Sequence, residues 1–256
     1  MIVQYCSDLH IEFPENEKFL RSTPIEPRGD ILILSGDIVP FAILDKYMWF
    51  FEDLSAKFKE TYWIPGNHEY YYSDISIRNN VLNEKILHNV SLVNNVCIRH
   101  DNIKFIFSTL WSKISEQNQY LIQDRLSDFA VIKNKDRLFN PSDYNEIHRE
   151  SIDFIKNSLD NSEEGTIIVA THHVPTFYNY PDKYKGDILN EAFVCELYDI
   201  IESSEIRYWI YGHNHSNIND FNIGGTILVT NQLGYIKSNE HHLYKSSVIN
   251  LGNIKQ

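Results

Sequence analysis

The residues of this chain best suited to chemistry are Asp, Asn and His side chains in five short clusters. Each cluster follows a short apolar run, and together they offer two carboxylates, one amide oxygen and several imidazoles. Such a mixed set of oxygen and nitrogen donors suits borderline or hard divalent cations, and it exceeds what one ion can bind. The order of the clusters therefore predicts an active site with two metal ions. The clusters are Ser7-Asp8-Leu9-His10, Gly36-Asp37, Gly66-Asn67-His68-Glu69, Thr171-His172-His173 and Gly212-His213-Asn214-His215.

The spacing within the clusters supports metal binding. Asp8 and His10 are two residues apart, so along an extended chain they project to the same side and can bind one ion. His213 and His215 repeat that spacing, although a loop conformation would send them to separate ions. Asp37 can bridge two cations with its two oxygens. Any single cluster is better explained as a polar loop at a strand end, but five clusters without an ion would leave uncompensated buried charge.

The elements that position these clusters alternate between strands and helices. Short apolar strands that each run into a cluster are predicted at residues 2–6, 31–34, 62–64, 166–170 and 208–211. Helical spacing predicts helices at residues 42–58, 75–87, 116–133, 141–159 and 191–202, the fourth with Ser142 as its N-cap. A strand pair is predicted at 98–99 and 104–108, a Gly224-Gly225 hairpin between 218–223 and 226–230, and a last strand at 247–251.

This alternation predicts an α/β fold, and the lack of repeats or linkers predicts a single domain over residues 1–256. Strands separated by helices favour parallel pairing, whereas the hairpin adds antiparallel strands. We therefore expect two mixed β-sheets, packed as a four-layer sandwich with helices on the outer faces. Ligands usually bind at the carboxyl ends of such strands, which is where the clusters lie.

Composition limits the partners. The chain has 23 basic and 35 acidic side chains, a formal net charge of −12, which disfavours tight binding to nucleic acid or an anionic membrane surface. The amino terminus lacks the pattern of a signal peptide, and no apolar run is long enough to span a bilayer. Cys6, Cys97 and Cys195 form no pair pattern, which is typical of a reducing compartment. We expect a cytoplasmic protein; the sequence carries no signal for an oligomeric state.

The five clusters, read in order, resemble the motifs of the calcineurin-like metallophosphoesterase superfamily. The shared elements are Asp-x-His, Gly-Asp, Gly-Asn-His-Glu, His-His-x-Pro and Gly-His-x-His, and they extend from Asp8 to His215. The resemblance implies a sandwich of two sheets with flanking helices. It also implies hydrolysis of a phosphate monoester or diester with two divalent ions. Manganese is the expected metal, and iron, zinc, cobalt and magnesium are alternatives.

The resemblance also implies roles for individual residues. It implies that His68 contacts the phosphate and helps the leaving group to depart, with Asp37 shared by both ions. A metal-bridging hydroxide would attack phosphorus, and the ions would neutralise charge in the transition state. Further substrate contacts are expected from Asn67, His173 and Tyr70, the last by stacking. The implied ligands are Asp8, His10, Asp37 and His215 for the first ion, and Asp37, Asn67, His172 and His213 for the second, with His173 as the alternative to His172.

The chain departs from the protein Ser/Thr phosphatase branch after Asp37. Pro40 and Phe41 stand where that branch has an aspartate that supports the catalytic histidine and an arginine that binds phosphate, so a protein phosphatase is disfavoured. We expect a small phosphoester as substrate. A nuclease is the alternative, and a non-catalytic metal-binding scaffold is a minor one. The loop at residues 179–186 is predicted either as a solvated surface loop or as a lid whose lysines meet a phosphate.

Overall fold

Two six-stranded sheets dominate the computed structural model, which describes residues 1–78, 81–160 and 165–252. Sheet I has the strand order β14-β1-β2-β3-β5-β4, sheet II has the order β12-β13-β11-β10-β7-β6, and β8 and β9 form a separate small hairpin. The strands are β1 (Ile2–Cys6), β2 (Ile31–Ser35), β3 (Glu60–Ile64), β4 (Leu82–Leu87), β5 (Val90–Asn94), β6 (Val96–His100), β7 (Ile103–Ser108), β8 (Lys133–Asn134), β9 (Arg137–Leu138), β10 (Thr166–Thr171), β11 (Ile206–Tyr211), β12 (Phe221–Ile223), β13 (Thr226–Thr230) and β14 (Ser247–Asn250).

Each sheet is parallel in its centre and antiparallel at its edges. In sheet I, β1, β2 and β3 run parallel, while β14 and β4 pair antiparallel to their neighbours. In sheet II, β7, β10, β11 and β13 run parallel, and β6 and β12 are antiparallel edge strands. The predicted mixed sheets are therefore confirmed, including the hairpin around Gly224-Gly225.

Alternating side chains divide the core into layers. Ile33 of sheet I and Ile168 and Ile210 of sheet II share one buried cluster, so the inner faces of the sheets pack on each other. On the outer faces, Leu34 belongs to the cluster beneath the helices of sheet I, and Val169 to the cluster beneath those of sheet II. The order is helices, sheet, sheet, helices, which confirms the predicted four-layer sandwich.

The helices are shorter than the sequence predicts, except for the long one before β10. Among the described residues, none has both the length and the apolar composition needed to cross a membrane. The α-helices are α1 (Pro14–Ser22), α2 (Met48–Lys57), α3 (Gln119–Arg125), α4 (Asp128–Val131), α5 (Pro141–Asp160) and α6 (Tyr198–Ser203).

Several helix predictions need correction. The predicted helix at 75–87 is wrong, because Leu82–Leu87 forms strand β4, paired with β5; residues 79 and 80 of that prediction lie outside the described residues. The helix predicted at 42–58 begins as a 3₁₀ helix over Phe41–Tyr47 before α2, and the one at 116–133 is split into α3 and α4. The one predicted at 191–202 is helical only in α6 and in the end of a 3₁₀ helix over Ile188–Ala192.

Helix α5 begins at Pro141 as predicted, but its N-cap lies two residues before the predicted one. The Asn140 side-chain oxygen accepts bonds from the backbone N–H groups of Ser142 (2.9 Å) and Asp143 (3.2 Å). Asn140 rather than Ser142 therefore caps the helix, with Pro141 in the first turn, where its missing N–H costs nothing.

Candidate metal centre

The predicted ligands all lie at the carboxyl ends of neighbouring parallel strands. Asp8 and His10 follow β1, Asp37 follows β2 and Asn67 follows β3. The other three histidines follow the strands of sheet II, one after β10 and two after β11. Because the two sheets pack face to face, both sets of strand ends meet at one end of the sandwich.

Five of the seven predicted ligands have a left-handed backbone. A positive φ is uncommon in residues other than glycine, although Asn, Asp and His adopt it more readily than most, so five such residues at one site are typical of a functional site. At each position the turn aims the side chain from its strand end towards a common point. The φ values are 55° at Asp8, 45° at His10, 56° at Asp37, 80° at His213 and 46° at His215.

A first group of donors consists of Asp8, His10, Asp37 and His215, one ligand atom of each lying within 4.8 Å of the others. His10 Nε2 is 3.7 Å from Asp37 Oδ2, and His215 Nε2 is 3.4 Å from Asp8 Oδ1. The two imidazole nitrogens, His10 Nε2 and His215 Nε2, are 3.0 Å apart. The four side chains surround a point where one cation would contact all of them.

A second group consists of Asp37, His172 and His213, again with one atom of each within 4.8 Å of the others. His172 Nε2 lies 3.4 Å from Asp37 Oδ1 and 3.3 Å from the Asn67 amide oxygen, so Asn67 borders this group. Asp37 belongs to both groups, one oxygen facing each. The predicted ligands are thus brought together in two adjoining sets around one shared carboxylate.

The outward nitrogen of each of the four imidazoles faces an oxygen acceptor. Such an acceptor holds the proton on the outward nitrogen, so the inward nitrogen presents its lone pair to the centre of the group. Facing lone pairs repel each other unless a cation or a proton lies between them. The pairs are His10 Nδ1 with Glu12 Oε1 (3.4 Å), His172 Nδ1 with the Ser35 carbonyl (2.8 Å), His213 Nε2 with the Ala192 carbonyl (3.3 Å) and His215 Nδ1 with Glu240 Oε2 (2.8 Å).

Space beside the groups is kept open by glycine. A Cβ added at Gly66 would lie 2.2 Å from Asp37 Oδ1 and 2.6 Å from His172 Nε2, and one at Gly212 would lie 2.6 Å from Asp8 Oδ2. Any side chain there would displace the donors. Buried carboxylates, inward lone pairs and glycine cradles together fit divalent metal ions.

The electrostatics of the groups favour a positive charge among them. Burial lowers the pKa of His172, but the Asp37 carboxylate outweighs burial and raises it to about 9. Burial also lowers the pKa of His215, but Asp8 and Glu240 outweigh it and raise the pKa to about 10. Burial raises the pKa of Asp37, yet the neighbouring imidazoles hold it well below the usual range. Carboxylates that keep a proton on the neighbouring imidazoles also attract a metal ion.

Glu69 is a functional residue to which the sequence assigned no role. Its buried carboxylate accepts bonds from the backbone N–H groups of Asp37 (2.9 Å), Ile38 (2.6 Å) and Gly66 (2.6 Å), and from Trp63 Nε1 (3.0 Å). It thereby ties the loop after β2 to the loop after β3. Its position beside His68 in the Gly-Asn-His-Glu cluster was the available signal.

Asp128, at the start of α4, is a second such residue. Asp128 Oδ1 accepts a bond from the Asn67 side-chain nitrogen and another from the Tyr71 hydroxyl, both 2.9 Å long. With its nitrogen held there, Asn67 turns its amide oxygen towards His172. Burial raises the pKa of Asp128. The sequence contains no spacing signal for this contact, which joins residues 61 positions apart.

His68 lies at the edge of the metal centre and lines the cleft beside it. Its backbone N–H donates to Asp37 Oδ1 (3.0 Å), and its ring is stacked on Tyr71, with ring centroids 4.1 Å apart. Burial lowers the pKa of His68, but Asp37 and Glu12 outweigh it and raise the pKa. The two carboxylates therefore favour the protonated form of the ring.

Two predicted substrate contacts do not reach the cleft. Tyr70 is 1% exposed and packs against Phe41 and Trp111 in the core, so it cannot stack on a substrate; Tyr71 lines the cleft instead. His173 is fully buried, and its Nε2 lies 3.1 Å from the Tyr144 hydroxyl. His173 packs beside the donor His213, with ring centroids 4.2 Å apart, but its own nitrogens face the Tyr144 hydroxyl and the Thr109 carbonyl (3.2 Å) instead of the donor groups.

The cleft has a volume of about 350 Å³, and four tyrosines and one phenylalanine contribute to an otherwise mostly polar wall. The loop at 179–186 contributes to it through Tyr180 and Tyr184, and the Tyr184 hydroxyl donates to the Asn214 carbonyl (3.0 Å). Its lysines do not line the cleft, since Lys185 pairs with Asp182 at 2.5 Å. Besides Tyr71 and His68, the wall includes Arg125, Tyr180, Tyr184, Phe193 and Tyr235.

Comparisons with known proteins agree with this arrangement. The family profile described as calcineurin-like phosphoesterase matches residues 3–217. An uncharacterized protein of Acanthamoeba polyphaga mimivirus is 36% identical over 261 residues, which cover 91% of each chain.

Two solved structures share the fold. The phosphopantetheinyl hydrolase PptH from Mycobacterium tuberculosis has a TM-score of 0.71 at 14% identity, covering 99% of this chain and 97% of that one. A dimetal phosphatase from Danio rerio has a TM-score of 0.50, also at 14% identity, covering 91% and 87%. At such identity the likeness concerns the fold alone.

Proposed function

The chain belongs to the calcineurin-like phosphoesterase family, and from that premise we propose that it hydrolyses a small phosphate monoester or diester at a pair of divalent metal ions. The observation that carries the proposal is the pair of donor groups that share Asp37. In the first group all four donor residues have a left-handed backbone. Structural loops at strand ends have no need for this costly arrangement.

The proposed ligands are divided between the two groups. Asp37 would bridge the ions, and Asn67 would complete the second set without adding charge. When bound, the ions supply Lewis-acid charge to the phosphoryl oxygens and lower the pKa of a bound water. Manganese is the metal we propose to test first. The first set is Asp8, His10, Asp37 and His215, and the second is Asp37, Asn67, His172 and His213.

His68 is the proposed proton donor to the leaving oxygen. It lines the cleft, it is anchored to Asp37 through its backbone N–H, and the nearby carboxylates raise its pKa. A protonated imidazole at the edge of the metal centre is suited to general-acid catalysis at neutral pH.

The cleft supports a small substrate. Its volume of about 350 Å³ suits one phosphoester with a compact leaving group, and its tyrosine and phenylalanine walls suit an apolar or ring-containing one. The net charge of −12 disfavours a long polyanion such as nucleic acid.

A hydrolysis panel tests the proposal. Purified protein is stripped with chelator, reloaded with Mn²⁺, Fe²⁺, Zn²⁺, Co²⁺ or Mg²⁺, and assayed on p-nitrophenyl phosphate, bis-p-nitrophenyl phosphate and single-stranded DNA. We expect release of p-nitrophenolate that disappears on stripping and returns on reloading, with about two ions per chain by elemental analysis. Faster cleavage of DNA than of either small ester would favour the nuclease. Bound ions without any turnover would favour the scaffold.

A further inference from the structure

Glu12 lies between two histidines of the site, although no motif in the sequence singles it out. It follows the Asp8–His10 cluster by two residues, and its side chain is 13% exposed. Glu12 Oε1 lies 3.4 Å from His10 Nδ1 and 3.7 Å from His68 Nδ1. One carboxylate therefore faces both a proposed metal ligand and the proposed proton donor.

Two buried polar atoms at this contact lack partners. Glu12 Oε2 and His68 Nδ1 make no hydrogen bond to any of the described residues. Buried polar atoms without a partner are costly, and these two belong to side chains that already face each other. A shift of less than about 1 Å would let His68 Nδ1–H donate to the carboxylate at ordinary hydrogen-bond length.

The other contacts of His68 leave its orientation about the ring axis undetermined. Tyr71 stacks on the ring with an interplanar angle of 24°, which fixes the plane of the ring. A stacked neighbour cannot distinguish a ring from the same ring turned by half a rotation about its Cβ–Cγ bond, which exchanges Nδ1 with Cδ2 and Nε2 with Cε1. A carboxylate beside one nitrogen can, because it requires an N–H at that position.

The neighbouring carboxylates are already engaged. Asp128 Oδ1 accepts bonds from Asn67 and Tyr71, and Asp37 faces the imidazoles of both donor groups. Among the described acidic residues around His68, Glu12 is the one with a buried oxygen that accepts no bond.

We propose that Glu12 is a positioning residue that holds His68 by Nδ1–H and so turns His68 Nε2 towards the leaving oxygen in the cleft. This inference rests on the proposed function of His68 as proton donor. In physical terms, Glu12 selects the tautomer and the orientation of the His68 ring. Carboxylates that bind the outer nitrogen of a catalytic or metal-binding imidazole act in the same way.

Leaving-group dependence in Glu12→Gln tests the positioning role. Glutamine keeps the size of the side chain but its amide no longer selects the Nδ1–H form. We expect kcat for phenyl phosphate, whose leaving group needs a proton, to fall about 10- to 100-fold. For p-nitrophenyl phosphate, which needs little protonation, kcat should stay within about threefold of the wild type, with unchanged KM. Glu15→Gln, an exposed neighbour on α1, is the matched control.

A double variant shows whether Glu12 affects turnover through His68 or through the proposed metal ligand His10. In a His68→Ala protein, adding Glu12→Gln should produce no further slowing, and elemental analysis should find the same metal content with and without Glu12→Gln. Slowing of both esters alike, additive slowing in the His68→Ala background, or loss of metal would overturn the inference.

A spectroscopic readout keeps the inference separate from the proposed function. In zinc-loaded, ¹⁵N-labelled protein, at a pH high enough for the His68 ring to be neutral, the ring nitrogen shifts of His68 should report the Nδ1–H tautomer in the wild type and a mixture in Glu12→Gln. Identical shifts in both proteins overturn the role of Glu12 even if the wild type is active. A wild type with the expected tautomer but no turnover refutes the proposed function and leaves the positioning contact established.

Discussion

The two sheets contribute to the candidate metal centre in different ways. Sheet I supplies both carboxylates and the amide, together with one imidazole, whereas sheet II supplies imidazoles alone. The donors of sheet I are Asp8, His10, Asp37 and Asn67, and those of sheet II are His172, His213 and His215. The negative charge therefore resides at one sheet, and the other provides neutral donors that close around it. Neither sheet alone presents a complete set of ligands.

The means of support also differ. Sheet I holds Asp37 largely through its backbone, which donates to the buried carboxylate of Glu69, itself satisfied by four donors. Sheet II holds its imidazoles through their own outward nitrogens, such as the bond from His215 Nδ1 to Glu240 (2.8 Å). A change in sheet I should therefore remove charge, whereas a change in sheet II should remove one donor and leave the charge in place.

Asp37→Asn is the strongest test of this asymmetry. It preserves the shape of the side chain and removes the charge shared by both donor groups. We expect turnover of p-nitrophenyl phosphate to fall about 10³-fold or more, because both ions lose their common counter-charge. Steady-state kinetics and elemental analysis of the purified variant measure the effect.

The matched control is Asp45→Asn, since Asp45 is exposed in the 3₁₀ helix over Phe41–Tyr47. Its turnover and metal content should equal those of the wild type. If Asp37→Asn kept both ions and turned over within about tenfold of the wild type, the shared carboxylate would not be the centre of the site.

The neighbouring histidines of sheet II allow a smaller and more selective test. His172 and His173 are both fully buried, but His172 Nε2 lies 3.4 Å from Asp37, whereas His173 Nε2 lies 3.1 Å from the Tyr144 hydroxyl. We expect His172→Gln to lose one ion and about 10²-fold in turnover, and His173→Gln to keep both ions. Elemental analysis of both variants measures the number of bound ions. If His173→Gln lost an ion and His172→Gln did not, His173 would be the ligand.

Sequence patterns predicted the elements that position the site and missed part of what lies between them. The strands before each cluster are short, apolar and β-branched, so their type and order were predictable. The segment from Ile75 to Leu87 was misread because Ile75, Leu82 and Ile86 also fit helical spacing. Its later part pairs with β5 as β4, and pairing with a distant strand leaves no trace in local periodicity.

The side chains that support the site were the least predictable. Pro40 and Phe41 indicated that His68 lacks the supports found in the protein Ser/Thr phosphatase branch, yet the fold brings Glu12 and Tyr71 to it. Single acidic residues such as Asp128 act through contacts across tens of positions, for which spacing has no signal. Clusters are visible in a sequence, whereas isolated partners become visible only when the chain is folded.

Once the metal ions are removed, the difference in charge between the donors of the two sheets should make the stability of the fold depend on pH. In the metal-free protein, the carboxylates of sheet I, joined by Glu240 at His215, outweigh burial and raise the pKa of His172 to about 9 and that of His215 to about 10. A pKa raised above the unfolded value of about 6.5 stabilises the fold fully below that pH, and this stability is lost as the pH rises through the folded pKa. Burial also raises the pKa of Glu69, to about 7, so this carboxyl group likewise stabilises the fold less as the pH rises towards that value.

We therefore expect the Tm of chelator-treated protein to fall by on the order of 5 °C between about pH 7 and pH 9.5. With Mn²⁺ bound, the ions replace the protons, so the Tm should be flat over the same range. If the Tm of the metal-free protein stayed constant or rose over this pH range, the carboxylates of Asp8 and Asp37 would not raise the pKa values of His172 and His215. A falling Tm that manganese abolishes would identify the proton and the metal ion as alternative occupants of the same charge-compensating position between the sheets.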